Sequence, residues 1–194
     1  MKQRRRLGVQ DALWLEMDRP NNLMVVDSVI WTAEPLDFAK VRAVVEERLL
    51  KRYPVFRSRA VQDDDGSWWW EPDEKFDIDN HVALISLTNP GDPSALQDLV
   101  AAHRSEMLDR DRPLWQAIWI KNYLEGSAMI LRSHHAIADG VRMMQLAMSL
   151  FDESPRGTPI MAPAILKQVA HPHPPGQPLA RRVQSSAAGV VSAA

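Results

Sequence analysis

Apolar residues recur at two different periods along the first three quarters of the chain. Spacings of three and four residues, as at Phe38, Val41 and Val45, put side chains on one face of a helix. Short runs rich in β-branched and aromatic residues are typical of strands. The pattern predicts helices over residues 11–17, 38–49, 94–108 and 141–151. It predicts strands over residues 23–33, 56–61, 68–70, 81–87, 114–123 and 127–133.

Polar residues mark where these elements begin and turn. Asp11 and Asp37 stand at the start of helical patterns, where a carboxylate can accept hydrogen bonds from the free amides of the first turn, so both are predicted caps. The stretches 63–66 and 125–126 each separate two strands and predict hairpins. On helix 94–108 we expect an inward face made of Leu96, Leu99, Val100, His103 and Met107. Because hairpins alternate with helices, the chain is predicted to be α+β, a mixed sheet layered with helices.

The last fifth of the chain has a different composition. Residues 152–194 are rich in Pro, Ala, Ser and Gly, and the run 172–176 cannot form a helix or a central strand because of its prolines. We expect residues 1–151 to form one domain and residues 152–194 to be a linker or tail that enters a helix near Pro178.

Composition excludes several classes of function. The absence of cysteine rules out disulfides, thiolate metal sites and cysteine nucleophiles. A net charge of −2 without a basic face argues against nucleic-acid binding. The basic start, residues 1–6, is not followed by an apolar signal region, and the most apolar run, residues 23–31, is broken by Asp27 and Ser28. We expect a cytoplasmic protein, and leave open a peripheral contact with a membrane or lipid droplet.

The candidate chemistry lies where strand 127–133 runs into His134 and His135. Adjacent strand residues point to opposite faces, so the two rings cannot serve one reacting atom or one metal ion. One ring should enter a cleft, where an imidazole suits base chemistry near neutral pH, and the other should enter the domain. Asp139 either orients the following loop, through an arginine or backbone amides, or is simply a helix cap. Gly140 allows positive φ or a close approach of backbone or substrate.

These residues resemble a known motif. The run from His134 to Gly140 matches the HHxxxDG motif of the CoA-dependent acyltransferase superfamily. Residues 11–16 look like the opening helix of the bacterial wax ester synthase/diacylglycerol acyltransferases. Arg112-Pro113-Leu114-Trp115 is similar to their Pro-Leu-Trp signature, and residues 53–59 resemble the segment after their second helix. The resemblance covers about residues 7–151.

The resemblance implies a fold and a reaction. The fold would be one of two chloramphenicol-acetyltransferase-like halves that meet along a tunnel. The reaction would transfer a fatty acyl group from acyl-CoA, a substrate rather than a cofactor, to a diacylglycerol or long-chain alcohol. His135 would be the general base, with His134 beside it. No metal and no resident cofactor are implied.

The resemblance also implies roles for neighbouring residues. Asp139 would pair with an arginine, for which Arg57 and Arg59 are candidates. Together with the two histidines and Gly140, Asp139 completes the candidate catalytic set. Pro113, Leu114 and Trp115 would help to form the acyl pocket, although Trp115 and Trp119 are better interpreted as core residues.

Two features depart from the family. Its usual Pro-Met-His-Val-Gly strand is replaced here by residues 22–26, Asn-Leu-Met-Val-Val. Its members are more than twice this length, so we expect the second half to be absent. An apolar wall that includes Met143 and Met144 should then associate with a separate C-terminal half or with a second copy.

The main alternative function is a non-catalytic domain that binds lipid or a partner. A condensation-type acyltransferase comes next, and a metal hydrolase last.

Overall fold

The centre of the computed structural model, which describes residues 4–154 and 158–159, is a four-stranded sheet. Its strands are β2 (Val25–Thr32), β5 (Val82–Ile85), β6 (Trp115–Tyr123) and β7 (Gly126–His134), in the order β2-β7-β6-β5. The β5–β6 pair is parallel, whereas β7 runs antiparallel to both of its neighbours. The predicted mixed sheet is confirmed.

The domain also contains a second sheet, which has three strands. It contains β1 (Arg5–Arg6), β3 (Ser58–Gln62) and β4 (Trp68–Pro72) in the order β1-β4-β3. The predicted hairpin between β3 and β4 is confirmed, and Gly66 takes a φ of 80° in its turn, a conformation that glycine adopts at little cost.

A short strand pair, β8 (Asp152–Ser154) with β9 (Thr158–Pro159), falls within the segment predicted to be a linker. The predicted helix near Pro178 lies outside the described residues.

Within the described residues four α-helices accompany the sheets: α1 (Val9–Met17), α2 (Phe38–Val45), α3 (Pro93–His103) and α4 (Gly140–Met148). A π-helical turn, Glu46–Leu50, extends α2. Asp37 caps α2 as predicted, because its carboxylate accepts hydrogen bonds from the amides of Ala39 and Lys40.

The predicted cap of α1 is wrong. The N-cap is Gly8, and Asp11 lies inside the first turn. From there the Asp11 carboxylate reaches back to a hydrogen bond with the Gly8 backbone. A capping box uses an acid at this third position in the same way, so the acid stabilises the helix start without preceding it.

Helix α3 is shorter than predicted. It begins at Pro93 after the cap Asp92 and ends at His103. Leu96 is buried, with Leu99 and Val100 packed around it, but the expected inward positions of His103 and Met107 are wrong. The His103 ring meets the Glu106 carboxylate at 3.0 Å instead, and Met107 is exposed.

The sheet separates two apolar cores, as alternation along its strands requires. One face carries the smaller core, which includes Ile118, Ile120 and Ile130 together with Leu96 of α3. The other face carries the larger core, which includes Leu49, Phe56, Trp115, Leu131, Met143 and Leu146. Strand β7 is buried along its whole length between these cores, so whatever follows its last residue is held by a rigid element.

The β6–β7 hairpin turns one residue earlier than predicted. Leu124 has a φ of 50°, and Gly126 is already paired with Tyr123 in the ladder. A β-carbon on Gly126 would lie 1.9 Å from the carbonyl oxygen of Thr32. Glycine is therefore required here by the close approach of β2, not by a turn conformation.

We expect Gly126→Ala to lower the free energy of unfolding by about 1–3 kcal/mol, because the strand must move to admit the methyl group. Gly91→Ala is the matched control, since a β-carbon there meets no atom within 4 Å and its φ is not positive. Urea titration of both variants gives the comparison. Equal stabilities would contradict the requirement for glycine at position 126.

Candidate active site

The histidine pair is fixed through its backbone on two sides. His134, the last residue of β7, donates its amide hydrogen to the carbonyl of Leu114 at 3.0 Å. His135 donates its amide hydrogen to the carbonyl of Met24 at 2.8 Å. The segments that precede β6 and β2 therefore both hold the motif, and the main chain has little freedom at this point.

His134 is buried and is held in one neutral form. Its ring is 1% exposed, and Nδ1 accepts a hydrogen bond from the Ala136 amide at 3.0 Å. A nitrogen that accepts must be unprotonated, so the ring hydrogen of the neutral form lies on Nε2, which is 3.6 Å from a carboxylate oxygen of Asp18. Burial lowers the pKa of His134 to about 4. This histidine is therefore unsuited to taking up a proton near neutral pH.

His135 has the opposite environment. Its half-buried ring stacks on Trp14 of α1, with centroids 4.8 Å apart and an interplanar angle of 28°. Nδ1 is enclosed and has no hydrogen-bond partner among the described residues, which leaves Nε2 as the nitrogen able to meet a substrate. The two rings diverge as predicted, with His134 inside the body of the domain and His135 half-exposed, and the cleft expected for the second ring stays a prediction.

Asp139 acts locally. It is the N-cap of α4, where its carboxylate accepts a hydrogen bond from the Arg142 amide at 2.9 Å and lies 3.6 Å from the Arg142 guanidinium. The predicted pairing with Arg57 or Arg59 is wrong, because Arg57 is exposed and Arg59 contacts Glu71 at 3.3 Å. The Asp139 carboxylate caps the first turn of α4, and Arg142 within that turn supplies both its hydrogen bond and its nearest positive charge. A distant arginine is therefore not required.

Gly140 does not need glycine for its backbone. It is the first residue of α4, and its φ lies outside the left-handed region, so the predicted positive φ is wrong. A β-carbon there would have nothing within 4 Å. Its exposed position leaves open space next to the loop that follows the histidines.

The Pro-Leu-Trp segment is part of the core. Pro113, Leu114 and Trp115 are all buried, and the Trp115 indole donates a hydrogen bond to the Phe56 carbonyl at 2.8 Å. Through its carbonyl, Leu114 holds the amide of His134. The contacts thus connect this segment to the histidines through the backbone, and its assignment to an acyl pocket stays a prediction.

The sequence analysis did not identify the charged residues buried behind the histidines. Asp18, 3% exposed, lies at the end of α1 and accepts a hydrogen bond from the Arg110 guanidinium at 2.9 Å. Arg132, two residues before the end of β7, meets the Asp27 carboxylate at 3.2 Å. A sequence signal existed only for the second pair, since an arginine inside an apolar strand requires a buried partner.

Two rows of exposed apolar side chains lie on the helices next to the motif. The row on α1 consists of Val9, Leu13 and Met17, and the row on α4 consists of Val141, Met144 and Met148. Burial raises the pKa of Asp11, while the nearby charges of Arg5 and Arg142 oppose that effect, so the first turns of the two helices are neighbours. Of the two methionines predicted to form an apolar wall, Met144 is 67% exposed, but Met143 is buried in the core.

A cavity of about 350 Å³ opens at the start of β2. It is lined largely by polar groups, among them Asn21, Asn22, Asp27 and Arg104. Val25, one residue after the position where the family has histidine, also lines it and pairs with His134 in the ladder.

Residues 4–154 and 158–159 contain no group of three or more side chains that could together hold a metal ion. No helix in that part of the chain is long and apolar enough to cross a membrane.

The fold is that of the chloramphenicol-acetyltransferase-like acyltransferases and condensation domains. The wax ester synthase/diacylglycerol acyltransferase of Marinobacter aquaeolei superposes with a TM-score of 0.66 at 26% identity, over 80% of this chain and 41% of that one. The starter condensation domain of rhizomide synthetase gives 0.61 at 16% identity, over 97% of this chain and 44% of that one, a likeness of fold alone.

The chain belongs to the wax ester synthase/diacylglycerol acyltransferase family, whose catalytic-domain profile matches residues 7–194. A putative diacylglycerol O-acyltransferase of Mycobacterium tuberculosis is 33% identical over 168 residues, which are 82% of this chain and 35% of that protein. A probable diacylglycerol O-acyltransferase of the same organism, tgs1, is 39% identical over 100 residues, which are 50% of this chain and 21% of that protein. The chain spans about a third of the length of the first of these relatives.

The environment of His134 predicts a pH dependence of stability. Its folded pKa of about 4 lies below the ordinary 6.5, so the unfolded chain binds one more proton between these two values. The stabilisation is complete above pH 6.5 and is lost as the pH falls towards 4, by on the order of 3 kcal/mol. We expect His134→Asn, whose amide oxygen can replace Nδ1, to lose much of this dependence in urea unfolding at pH 7 and pH 5.

The control for this comparison is His103→Asn, at the exposed contact with Glu106. It should retain the pH dependence of the parent chain. If His134→Asn and the parent lose the same stability between pH 7 and pH 5, a neutral His134 is not the source of the effect.

Proposed function

We propose that this chain carries the active-site half of an acyl-CoA-dependent O-acyltransferase. The acceptor is the hydroxyl of a diacylglycerol or a long-chain alcohol, and the product is a triacylglycerol or a wax ester. The observation that carries the proposal is the division between the two histidines, because His134 is buried in a neutral form while His135 presents one free ring nitrogen. Family membership and the names of the relatives support the choice of substrates.

His135 is the general base in this proposal. Its Nε2 takes the proton of the acceptor hydroxyl as the oxygen attacks the thioester carbonyl and the new C–O bond forms. The tetrahedral intermediate collapses when the C–S bond breaks, and the proton passes from His135 to the departing CoA sulfur. Atoms and charge balance with acyl-CoA and the alcohol alone, so the proposed reaction uses no resident cofactor or metal.

The other motif residues position this base. His134 anchors the turn through the Ala136 amide, and Asp139 fixes the start of α4. The open space at Gly140 gives substrate room next to the loop. Pro113, Leu114 and Trp115 contribute by holding the backbone of His134, and a direct contact with the acyl chain remains part of the proposal.

A non-catalytic binding domain is the second candidate. Exposed apolar rows on α1 and α4 favour it, because surfaces of this kind usually mark contacts with lipid or protein. The same rows are the basis for proposing a peripheral contact with a membrane or lipid droplet. The two candidates differ in a single measurement, the release of CoA that depends on an acceptor alcohol.

We expect His135→Ala to lower turnover by about two to four orders of magnitude while the protein stays folded. Since the chain has no cysteine, a thiol reagent added to the chain alone reports only released CoA, and for the fusion a blank without acyl-CoA subtracts any thiols of the added part. The assay uses palmitoyl-CoA and dioleoylglycerol, with the chain alone and fused to the C-terminal part of the M. tuberculosis relative.

The matched control is His103→Ala, which removes a histidine on the surface of α3. It should turn over like the parent. If the fusion binds both lipids but releases no CoA above the blank, the chain is a binding domain. If it is active and His135→Ala equals the parent, the base is another group.

The exposed rows also predict association. We expect the isolated 194-residue polypeptide to self-associate, or to bind a separate C-terminal half, because both rows otherwise face water. Replacing Leu13 and Met144 by glutamate should reduce the mass seen by light scattering. Replacing Leu84 and Leu124, which are exposed elsewhere, should not. A parent chain that is monomeric at all concentrations and does not bind the C-terminal part of the M. tuberculosis relative contradicts this proposal.

A further inference from the structure

A buried carboxylate at the end of α1 contacts several of the segments that hold the histidine pair. One oxygen of Asp18 accepts the amide hydrogen of Met24 at 2.8 Å. The other accepts a hydrogen bond from Arg110 at 2.9 Å and lies 3.6 Å from Nε2 of His134. A charge buried to this extent is costly unless it is paired and hydrogen-bonded, so these neighbours are all needed.

One route leads from Asp18 to the backbone of His135. Met24 donates its amide hydrogen to Asp18, and its carbonyl accepts the amide hydrogen of His135 at 2.8 Å. The carboxylate therefore holds Met24 on one side, and the peptide group on the other side of the same residue holds His135. Trp14, which stacks on the His135 ring, lies one helical turn before Asp18 on the same helix.

A second route passes through the neighbouring ring. The Nδ1 of His134 is committed to the Ala136 amide, so the hydrogen on Nε2 is directed at the Asp18 carboxylate. Arg110 holds that carboxylate and also donates to the Leu15 carbonyl at 3.0 Å, which ties the end of α1 to the same point. Asp18 and Arg110 thus connect the His134 ring with the end of α1 and the start of β2.

We infer that Asp18 is a positioning residue for His135, which it holds in place through Met24, through His134 and through the helix that carries Trp14. The inference rests on the proposed role of His135 as base. Asp18 touches no reacting atom in that role, and the Arg110–Asp18 pair is an orienting device as well as a structural ion pair. A purely structural pair would stabilise the fold without affecting the His135 ring.

Nuclear magnetic resonance of the full 194-residue chain at pH 7 separates these two roles. The Trp14 stack shifts the ring protons of His135 upfield, and we expect Asp18→Asn to diminish that shift. Asp37→Asn is the matched control, because it removes a buttressing carboxylate from the start of α2, away from the histidines. It should lower the melting temperature and leave the His135 signals in place.

Titration of the His134 ring gives a second readout with opposite signs for two variants. The charged or titratable groups that act on His134 are Asp18, which raises its pKa, and Arg110 and His135, which lower it. Asp18→Asn should therefore move the midpoint below about 4, and Arg110→Gln should move it upward. Arg110 is partly exposed, so its variant keeps the test available if Asp18→Asn does not fold.

The outcomes decide the inference independently of catalysis. Altered His135 signals in the Asp18 or Arg110 variant, with unchanged signals in Asp37→Asn, support positioning even where no transferase activity is found. Unchanged His135 signals in a folded Asp18→Asn variant overturn the inference. A change of the His135 signals in Asp37→Asn as large as that in Asp18→Asn overturns it as well. In an active fusion, Asp18→Asn should lower kcat by on the order of 100-fold with KM for acyl-CoA unchanged.

Discussion

Two adjacent histidines at the end of a buried strand impose one constraint on everything around them. The pleat sends their side chains to opposite sides, and one of those sides is the buried interior of the domain. The ring on that side must be neutral and must find its hydrogen-bond partners within the protein. His134 meets this requirement at Nδ1, which accepts the Ala136 amide hydrogen, while Nε2 has no hydrogen bond among the described residues and lies 3.6 Å from the Asp18 carboxylate.

The elements around the two histidines hold their backbone in place. Strand β7 is central in the sheet and buried along its length, so it does not fray at the end that carries the motif. The residue before β6 and the residue before β2 supply the two carbonyls that fix the histidine amides. Helix α4 then starts directly from a cap at Asp139, which limits how far the connecting loop can move. The general base of the proposed reaction needs a rigid backbone of this kind, since its nitrogen has to lie within hydrogen-bond distance of a hydroxyl.

Local patterns predicted what is local in the structure. The mixed sheet, the β3–β4 hairpin and the cap at Asp37 follow from neighbouring residues, and so does the divergence of the two histidines. The Asp18–Arg110 contact joins residues 92 positions apart, and no pattern in one sequence brings them together. The prediction for the partner of Asp139 was wrong for the opposite reason. A distant arginine was expected, but the carboxylate accepts its hydrogen bond locally, from the first turn of the next helix.

The same geometry shows what the described part of the chain leaves open. His135 is oriented on one side by Trp14 and the Met24 carbonyl, yet its ring remains half-exposed. Water competes with a hydroxyl for such a nitrogen and weakens every electrostatic contact around it. In the proposed reaction, His135 serves a lipid alcohol rather than water only when an apolar surface covers it. The exposed rows on α1, the helix that carries Trp14, and on α4, which follows the motif, are the surfaces that the proposal assigns to such a cover.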